Sequence, residues 1–304
     1  MSSASKRARG KCVAWMLGFA GTVCLAAPGV LAAAALQTAS GPHAASGRQN
    51  HAPLRVCADP DNLPFSNRRQ QGFENRIAAL MARDLGTTVS YTWFPQRGEF
   101  FAKTLERGLC DVVMSVPENM PDVATTRPYY RSTYVFVTRR DRRLDIASFD
   151  DPRLRTLKIG VHVLGDQDDS LPPVHAFTSR GIVHNLVGFS IFGNLDEKNP
   201  PSDLIRAVSD GAVDVAVAWG PMAGYFARQS KAPLEITPVE RDPMHPALPF
   251  AYSIGIGVRE NDTALEQILD AELRRRQADI QRILHSFGIP ESSPGAQEAK
   301  ATED

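Results

Sequence analysis

The sequence predicts an α/β fold of two lobes, each a mostly parallel sheet flanked by helices. Three observations carry this reading. Short apolar runs alternate with amphipathic segments from Pro53 to Phe287, the signature of βαβ units. The run Gly108-Leu-Cys-Asp111-Val-Val-Met-Ser115 recurs in order and spacing as Gly211-Ala-Val-Asp214-Val-Ala-Val-Ala218. In each copy a helix stops at glycine, and an aspartate opens an apolar strand that runs into proline, Pro117 or Pro221. Finally, Cys57-Ala-Asp-Pro-Asp-Asn-Leu-Pro-Phe-Ser66 ends an apolar run in polar, Pro-rich backbone just ahead of a helix. Open α/β sheets build a ligand crevice at such strand ends.

The elements follow in order. Leu54–Ala58 is a strand, and Asn75–Leu85 is a helix with Ile77, Leu80, Met81 and Leu85 on one face and Gly86 as its stop. Val89–Trp93 is a strand, Glu99–Arg107 a helix ending at Gly108, and Asp111–Val116 a buried strand. Thr133–Thr138 and Lys158–Val163 are strands separated by the charged segment Arg139–Arg155. Leu204, Ile205 and Val208 stripe a helix that ends at Gly211; Asp214–Trp219 is a strand, and Met222–Gln229 a helix. Ile254–Val258 is a further strand, and one long helix is expected from about Thr263 to Phe287.

The ends read differently from the middle. Lys6, Arg7, Arg9 and Lys11 precede an apolar run from Val13 to Leu36 that contains four consecutive alanines. That is a secretory leader over 1–36, cleaved rather than kept as an anchor, because Pro28-Gly29 interrupts the run. A polar linker follows over 37–53, and the tail 291–304 has the composition of a disordered segment. The mature chain is expected in the periplasm, without membrane insertion. Charge balance is even, 34 Lys and Arg against 34 Asp and Glu, so nothing steers the chain to nucleic acid or anionic lipid. Cys57 and Cys110 remain after the leader. An oxidising compartment favours a disulfide, but their places at opposite ends of neighbouring strands oppose one. The pairing stays open at this level.

Candidate site residues gather at the predicted strand ends. Asp59, Asn62 and Ser66 suit ligand contacts, and Asn62 and Ser66 equally suit capping of the following turn. Ser115 and Glu118 flank the matching end across the crevice, where Glu118 is a cleft carboxylate or a solvated turn residue. Phe65, Tyr129, Tyr130, Trp219 and Tyr225 offer an aromatic lining, with ordinary core as the alternative for some of them. No nucleophile–base pair, phosphate loop or haem motif occurs, so no catalytic residue is assigned. His162, His175 and His184 lack metal-ligand spacing. Asp166-Gln-Asp168-Asp169 starts like a calcium loop but lacks its glycine and closing glutamate. Neither metal nor cofactor is expected.

Several of these residues resemble the bacterial periplasmic solute-binding proteins that deliver amino acids to transporters. The carriers are Asp59…Pro64-Phe65-Ser66, Gly72-Phe73, Gly108…Asp111 and Pro128-Tyr129. The resemblance implies a type II periplasmic binding protein fold with two interlobe crossovers: 54–140 plus 246–290 in one lobe, 146–240 in the other. It also implies an arginine clamp for the ligand carboxylate several residues before Pro-Tyr. Here no arginine lies between Arg107 and Arg127, and Asn119 stands near the expected place. An amino-acid ligand is therefore not expected. Five blocks are similar to a narrower group, the quinoprotein dehydrogenase-associated binding proteins. They are Cys57–Ser66, Gly72–Arg76, Tyr91–Arg97, Thr125–Ser132 and Trp219–Tyr225. That likeness implies a non-catalytic accessory or maturation role beside a pyrroloquinoline-quinone methanol or other alcohol dehydrogenase. Its partners would be the dehydrogenase and its cytochrome c, with a small-molecule ligand still open. The alternative is the receptor of an importer for a small non-amino-acid ligand.

Overall fold

A computed structural model of the chain describes residues 52–163, 171–191, 200–239 and 241–290. The leader, the linker up to residue 51, the aspartates 166, 168 and 169, and the tail lie outside the described residues. The strands are β1 (Leu54–Ala58), β2 (Asp61–Asn62), β3 (Ser66–Asn67), β4 (Val89–Trp93), β5 (Val112–Pro117), β6 (Val123–Thr125), β7 (Tyr130–Arg139), β8 (Ile159–Val163), β9 (Leu186–Ser190), β10 (Val215–Trp219), β11 (Leu234–Pro238) and β12 (Ala251–Arg259). The helices are α1 (Phe73–Asp84), α2 (Phe100–Lys103), α3 (Pro172–Thr178), α4 (Ser202–Asp210), α5 (Gly220–Ala227), α6 (Thr263–Arg275) and α7 (Gln277–Phe287).

Strand order along the main sheet is β4-β1-β5-β12-β7-β10-β8-β9. The outer pairs β1–β4, β1–β5, β8–β10 and β8–β9 are parallel, whereas the central strands β12 and β7 run antiparallel to their neighbours. Strand β7 joins the two halves. Its first residues, Tyr130 to Thr133, pair with β12, and from Tyr134 on it pairs with β10. The other crossing, after β11, is tied to the same point. The Thr133 hydroxyl donates to the carbonyls of Val239 (2.7 Å) and Phe250 (2.9 Å). This is the two-lobed arrangement that the alternating elements foretell.

The internal echo has a structural counterpart. Strand β5 lies between parallel β1 and antiparallel β12, and β10 lies between parallel β8 and antiparallel β7. The aspartates enter both strands alike: the Asp111 amide donates to the Arg55 carbonyl and the Asp214 amide to that of Lys158. Each carboxylate then meets guanidinium, Asp111 with Arg55 and Arg259, Asp214 with Arg142.

Several elements differ from expectation. The helix expected over Glu99–Arg107 is one turn, α2, after which Thr104 bonds its hydroxyl to the Phe100 carbonyl (2.6 Å). Such local side-chain bonds offer the backbone an alternative to the helix. The single long C-terminal helix is two, α6 and α7, broken at Arg276, whose guanidinium pairs with Asp84 at the end of α1. Strands β9 and β11 are half-exposed edge elements without a clean period-two pattern. Cys57 and Cys110 form a disulfide, their Cα atoms 5.5 Å apart. The Asp111–Arg55 hydrogen bond brings Cys110 beside the middle of β1 instead of leaving it a strand length away.

Candidate functional site

The segment Asp59–Asn67 folds on itself as the β2–β3 hairpin. Asp59 is buried, and its carboxylate accepts main-chain hydrogen bonds from Asp61 (2.8 Å) and Gln96 (2.7 Å). Burial raises its pKa, and those two amides oppose the rise. The Ser66 hydroxyl donates to the Asp59 carbonyl (2.9 Å), and Phe65 packs on Phe73 at 5.4 Å between ring centres. Asn62 leaves its side-chain oxygen buried without a partner.

The hairpin also completes the start of α1. Its Pro64 and Phe65 carbonyls accept from the Phe73 and Glu74 amides, which no residue within the helix could satisfy. Asn75 takes the Gly72 and Asn67 amides on its side-chain oxygen. This contact leaves no room at Gly72, where a Cβ would stand 1.8 Å from the Phe65 carbonyl oxygen. Gly72 has an ordinary φ of −73°, so crowding rather than conformation demands glycine. Gly72→Ala should lower stability by about 1–3 kcal/mol in urea unfolding. At an uncrowded site the same change would stabilise by about 0.4–1 kcal/mol, so a gain would refute the tight hairpin contact.

Behind the hairpin lies a polar cluster. Glu74 on the first turn of α1 is only 5% exposed. Burial pushes its carboxyl up to about 7, with a hydrogen bond from Ser115 opposing and the Asp59 charge adding to the rise. Ser115, at φ +53° near the end of β5, holds its neighbours together. Its hydroxyl lies 3.2 Å from the hydroxyls of both Tyr129 and Tyr130, and its amide donates to the Tyr129 hydroxyl at 3.2 Å. Both tyrosines are buried and their pKa values raised, first by desolvation. Tyr91 of β4 faces Asn75 and feels the Glu74 charge; the Tyr91 hydroxyl and the Asn75 amide nitrogen are buried without hydrogen-bond partners. Trp219, from the far half of the sheet, stands near enough to the Tyr130 hydroxyl to oppose part of the rise in its pKa.

The structure thus brings together Asp59, Ser115, Tyr129, Tyr130 and Trp219 from the sequence-derived set, and adds Glu74, Tyr91 and Asn75. Trp219 packs edge-on against Tyr134 and Tyr252 at 5.4 and 5.7 Å. Tyr225 lies elsewhere, stacked on Phe287 at 5.7 Å. Glu118 is exposed on the turn after β5, where it lines an open hollow of about 440 Å³ with Asn119, Thr125 and Arg127. The Arg127 amide donates to Asp270 at 2.7 Å. His162 is buried and pushed down to about 4 by desolvation, His175 meets His245, and His184 is exposed. Among the described residues no group of three or more His, Cys, Asp or Glu side chains could hold a metal ion. Among them, too, no helix is long and apolar enough to cross a membrane.

Glu74 announces itself in the sequence only as Phe-Glu where the resembled family has Phe-Asp. Its consequence can be read from stability. The folded protein keeps the Glu74 proton up to about pH 7, whereas an unfolded glutamate loses it near 4.3. The unfolded state therefore binds fewer protons between these values, and stability falls as pH rises through them, by about 4 kcal/mol in all. In Glu74→Gln this loss should vanish, leaving the variant the more stable protein at pH 8. Chemical denaturation at pH 5 and pH 8 checks this, and an unchanged pH slope in the variant would refute it.

Comparison with known proteins agrees with this architecture. Residues 54–288 match the model of the bacterial extracellular solute-binding proteins, family 3. The chain is 34% identical over 243 residues to Protein MoxJ of Methylorubrum extorquens, covering 78% of this chain and 81% of the relative. It is 30% identical over 247 residues to Protein MoxJ of Paracoccus denitrificans, covering 78% and 88%. Among solved structures it is similar to the periplasmic binding protein XoxJ from Methylobacterium extorquens AM1, at 32% identity and a TM-score of 0.64 over 79% of this chain and 99% of that one. It is similar also to MxaJ from Methlophaga aminisulfidivorans MPT, at 27% identity and a TM-score of 0.68 over 79% and 100%. The chain belongs to the bacterial extracellular solute-binding proteins, family 3.

Proposed function

We propose that the protein is a non-catalytic periplasmic binding protein that serves a pyrroloquinoline-quinone methanol dehydrogenase system as an accessory or maturation factor. The observation that carries this is the chemistry at the end of β5. A receptor for amino acids needs a cation there for the ligand carboxylate. This chain has Ser115 capped by two tyrosine hydroxyls, with the Glu74 carboxyl behind it. A carboxylate ligand would find Asn119 near that strand end instead of an arginine. The likeness to the MoxJ, XoxJ and MxaJ proteins, together with the five sequence blocks, points to the dehydrogenase as the partner.

The reading has a direct test in the source bacterium. Deleting the gene should lower methanol dehydrogenase activity or cofactor content in the periplasm, and the full-length gene should restore it. Tagged protein mixed with periplasmic extract should retain a dehydrogenase subunit. Normal dehydrogenase in the deletion strain would refute the accessory role. If the purified protein also closed on a small solute, it would be the receptor of an importer instead.

A further inference from the structure

We propose that His175 and His245 together form a binding site for a late first-row divalent cation, Cu2+ ahead of Zn2+.

The spacing of the two rings carries the argument. His175 lies in the last turn of α3, and His245, 70 residues later, lies in the segment between β11 and β12. Their ring centres are 4.7 Å apart. Two imidazoles that share one ion, each at a metal–nitrogen distance of about 2.0–2.1 Å, have ring centres about 4.5 Å apart at a right angle and about 5.2 Å apart in a tetrahedron. The observed spacing falls between these values, nearer the right angle. Square and tetragonal nitrogen sets suit Cu2+, and affinity for such ligands along the first row is greatest there.

The surroundings hold both rings in place. His245 Nδ1 lies 2.9 Å from Asp242 Oδ2, so Nε2 is the nitrogen left for a ligand. A carboxylate on the second nitrogen is the usual partner of a metal-binding histidine, because it fixes the ring and makes the free nitrogen more basic. Asp242 is that partner rather than a ligand. Its two oxygens already take the Arg180 guanidinium, the Met244 amide and His245. Arg180 Nη1 also donates to the Ala176 carbonyl, next to His175, at 2.9 Å. One guanidinium, its side chain 4% exposed, therefore sets the distance between the two elements that carry the rings. His175 is exposed and His245 partly buried, so the pair is open to ions from solvent.

Structural metal sites are closed by four protein ligands, and catalytic ones use three. A site of two imidazoles is more open still and completes its shell with water. An ion held by both rings would tie α3 to the segment that leads back to β12. The pair is hidden in the sequence because His175 has no second histidine three or four residues away.

The test uses the full chain, freed of metal by a chelator and dialysed into a non-coordinating buffer. Titration with Cu2+ alone, read by electron paramagnetic resonance, should give one tight equivalent whose spectrum carries nitrogen couplings. His175→Ala and His245→Asn should each weaken it by more than the roughly 10- to 100-fold that loss of an orienting partner costs. The side-chain amide introduced by His245→Asn still donates to Asp242, and metal-free melting checks that the fold is kept. His184→Ala, at an exposed histidine outside the pair, should leave the equivalent unchanged. Cu2+ should raise the melting temperature of the parent and of His184→Ala but not of the two pair variants. Zn2+ should bind the same pair more weakly. Lack of a tight equivalent in the parent overturns the site, as does one that survives either pair variant. Equal weakening by His184→Ala would mean an adventitious ion only, and tighter binding of Zn2+ would overturn the choice of ion.

Discussion

Removing the Cys57–Cys110 disulfide should lower the unfolding free energy by about 4 kcal/mol. The bond closes a loop with a sequence separation of 53, which holds α1, β4 and α2. Freeing a loop of that length returns about 4 kcal/mol of conformational freedom to the unfolded chain in the loop-closure account. For a folded region of this size the melting temperature should fall by roughly 10 °C. The substituting residue matters because both sulfurs are buried among Phe100, Leu105, Val113, Val116 and Val123. Paired serines would add two hydroxyls to that apolar cluster at a further cost of about 1–3 kcal/mol each, unless they bond one another. Paired alanines isolate the loop effect. Urea unfolding of Cys57→Ala/Cys110→Ala beside the oxidised parent reads it directly. A loss below about 1 kcal/mol would mean that the unfolded chain keeps these segments together without the bond.

The disulfide also marks how far sequence reasoning reaches. The elements with clean signals were legible: β1, α1, β4, β5, β8, α4, β10 and β12 each show an apolar run or stripe bounded by glycine, proline or an aspartate. The doubled Gly-x-x-Asp pattern foretold two like units, because the aspartate anchors its strand to a parallel neighbour in both. What sequence missed depends on partners far along the chain. The break at Arg276 exists because Asp84, 192 residues earlier, sits where the guanidinium can reach it. Cys110 reaches Cys57 because the turn before β5 docks on β1, and counting along strands overstates their distance. Strand β11 carries polar residues on a half-exposed edge and so lacks the period-two signal.

The candidate site divides the same way. Asp59, Ser115, Tyr129, Tyr130 and Trp219 could be named as candidates from the sequence because strand ends in open α/β sheets face the crevice. Glu74 was missed because an acidic residue in a helix's first turn is ordinarily solvated and favoured by the helix dipole. Its burial is imposed by Ser115, Tyr129 and Tyr130, which arrive from strands about 40 to 55 residues later. A local reading sees the helix start and cannot see its cover.

Asp242→Ala should be the most damaging single exchange in the second half of the molecule, costing about 3–5 kcal/mol. Arg180 and Asp242 form a buried pair, with side chains 4% and 0% exposed. The guanidinium also bonds Asp150 (2.7 Å) and the Ala176 carbonyl (2.9 Å), and the carboxylate takes the Met244 amide (3.0 Å) and His245 Nδ1 (2.9 Å). Burial alone would raise the Asp242 pKa, but these partners outweigh it and hold the carboxyl at about 2. Because the folded value lies below the unfolded one, near 3.9, this stability is complete above about pH 4. It is lost as pH falls toward 2. Removing the carboxylate leaves the guanidinium with the exposed Asp150 as its one anion among the described residues, and frees the segment 241–250 that carries the chain back across the crossing. Two measurements separate these effects. Urea unfolding gives the global cost, and limited proteolysis should show faster cleavage between Arg241 and Pro249 in the variant. Exchanging both partners for apolar residues, Arg180→Met with Asp242→Leu, should cost less than either single loss, because no charge is then left buried alone. If the double exchange proved as harmful as the two single losses combined, the pair would be two independent anchors rather than one.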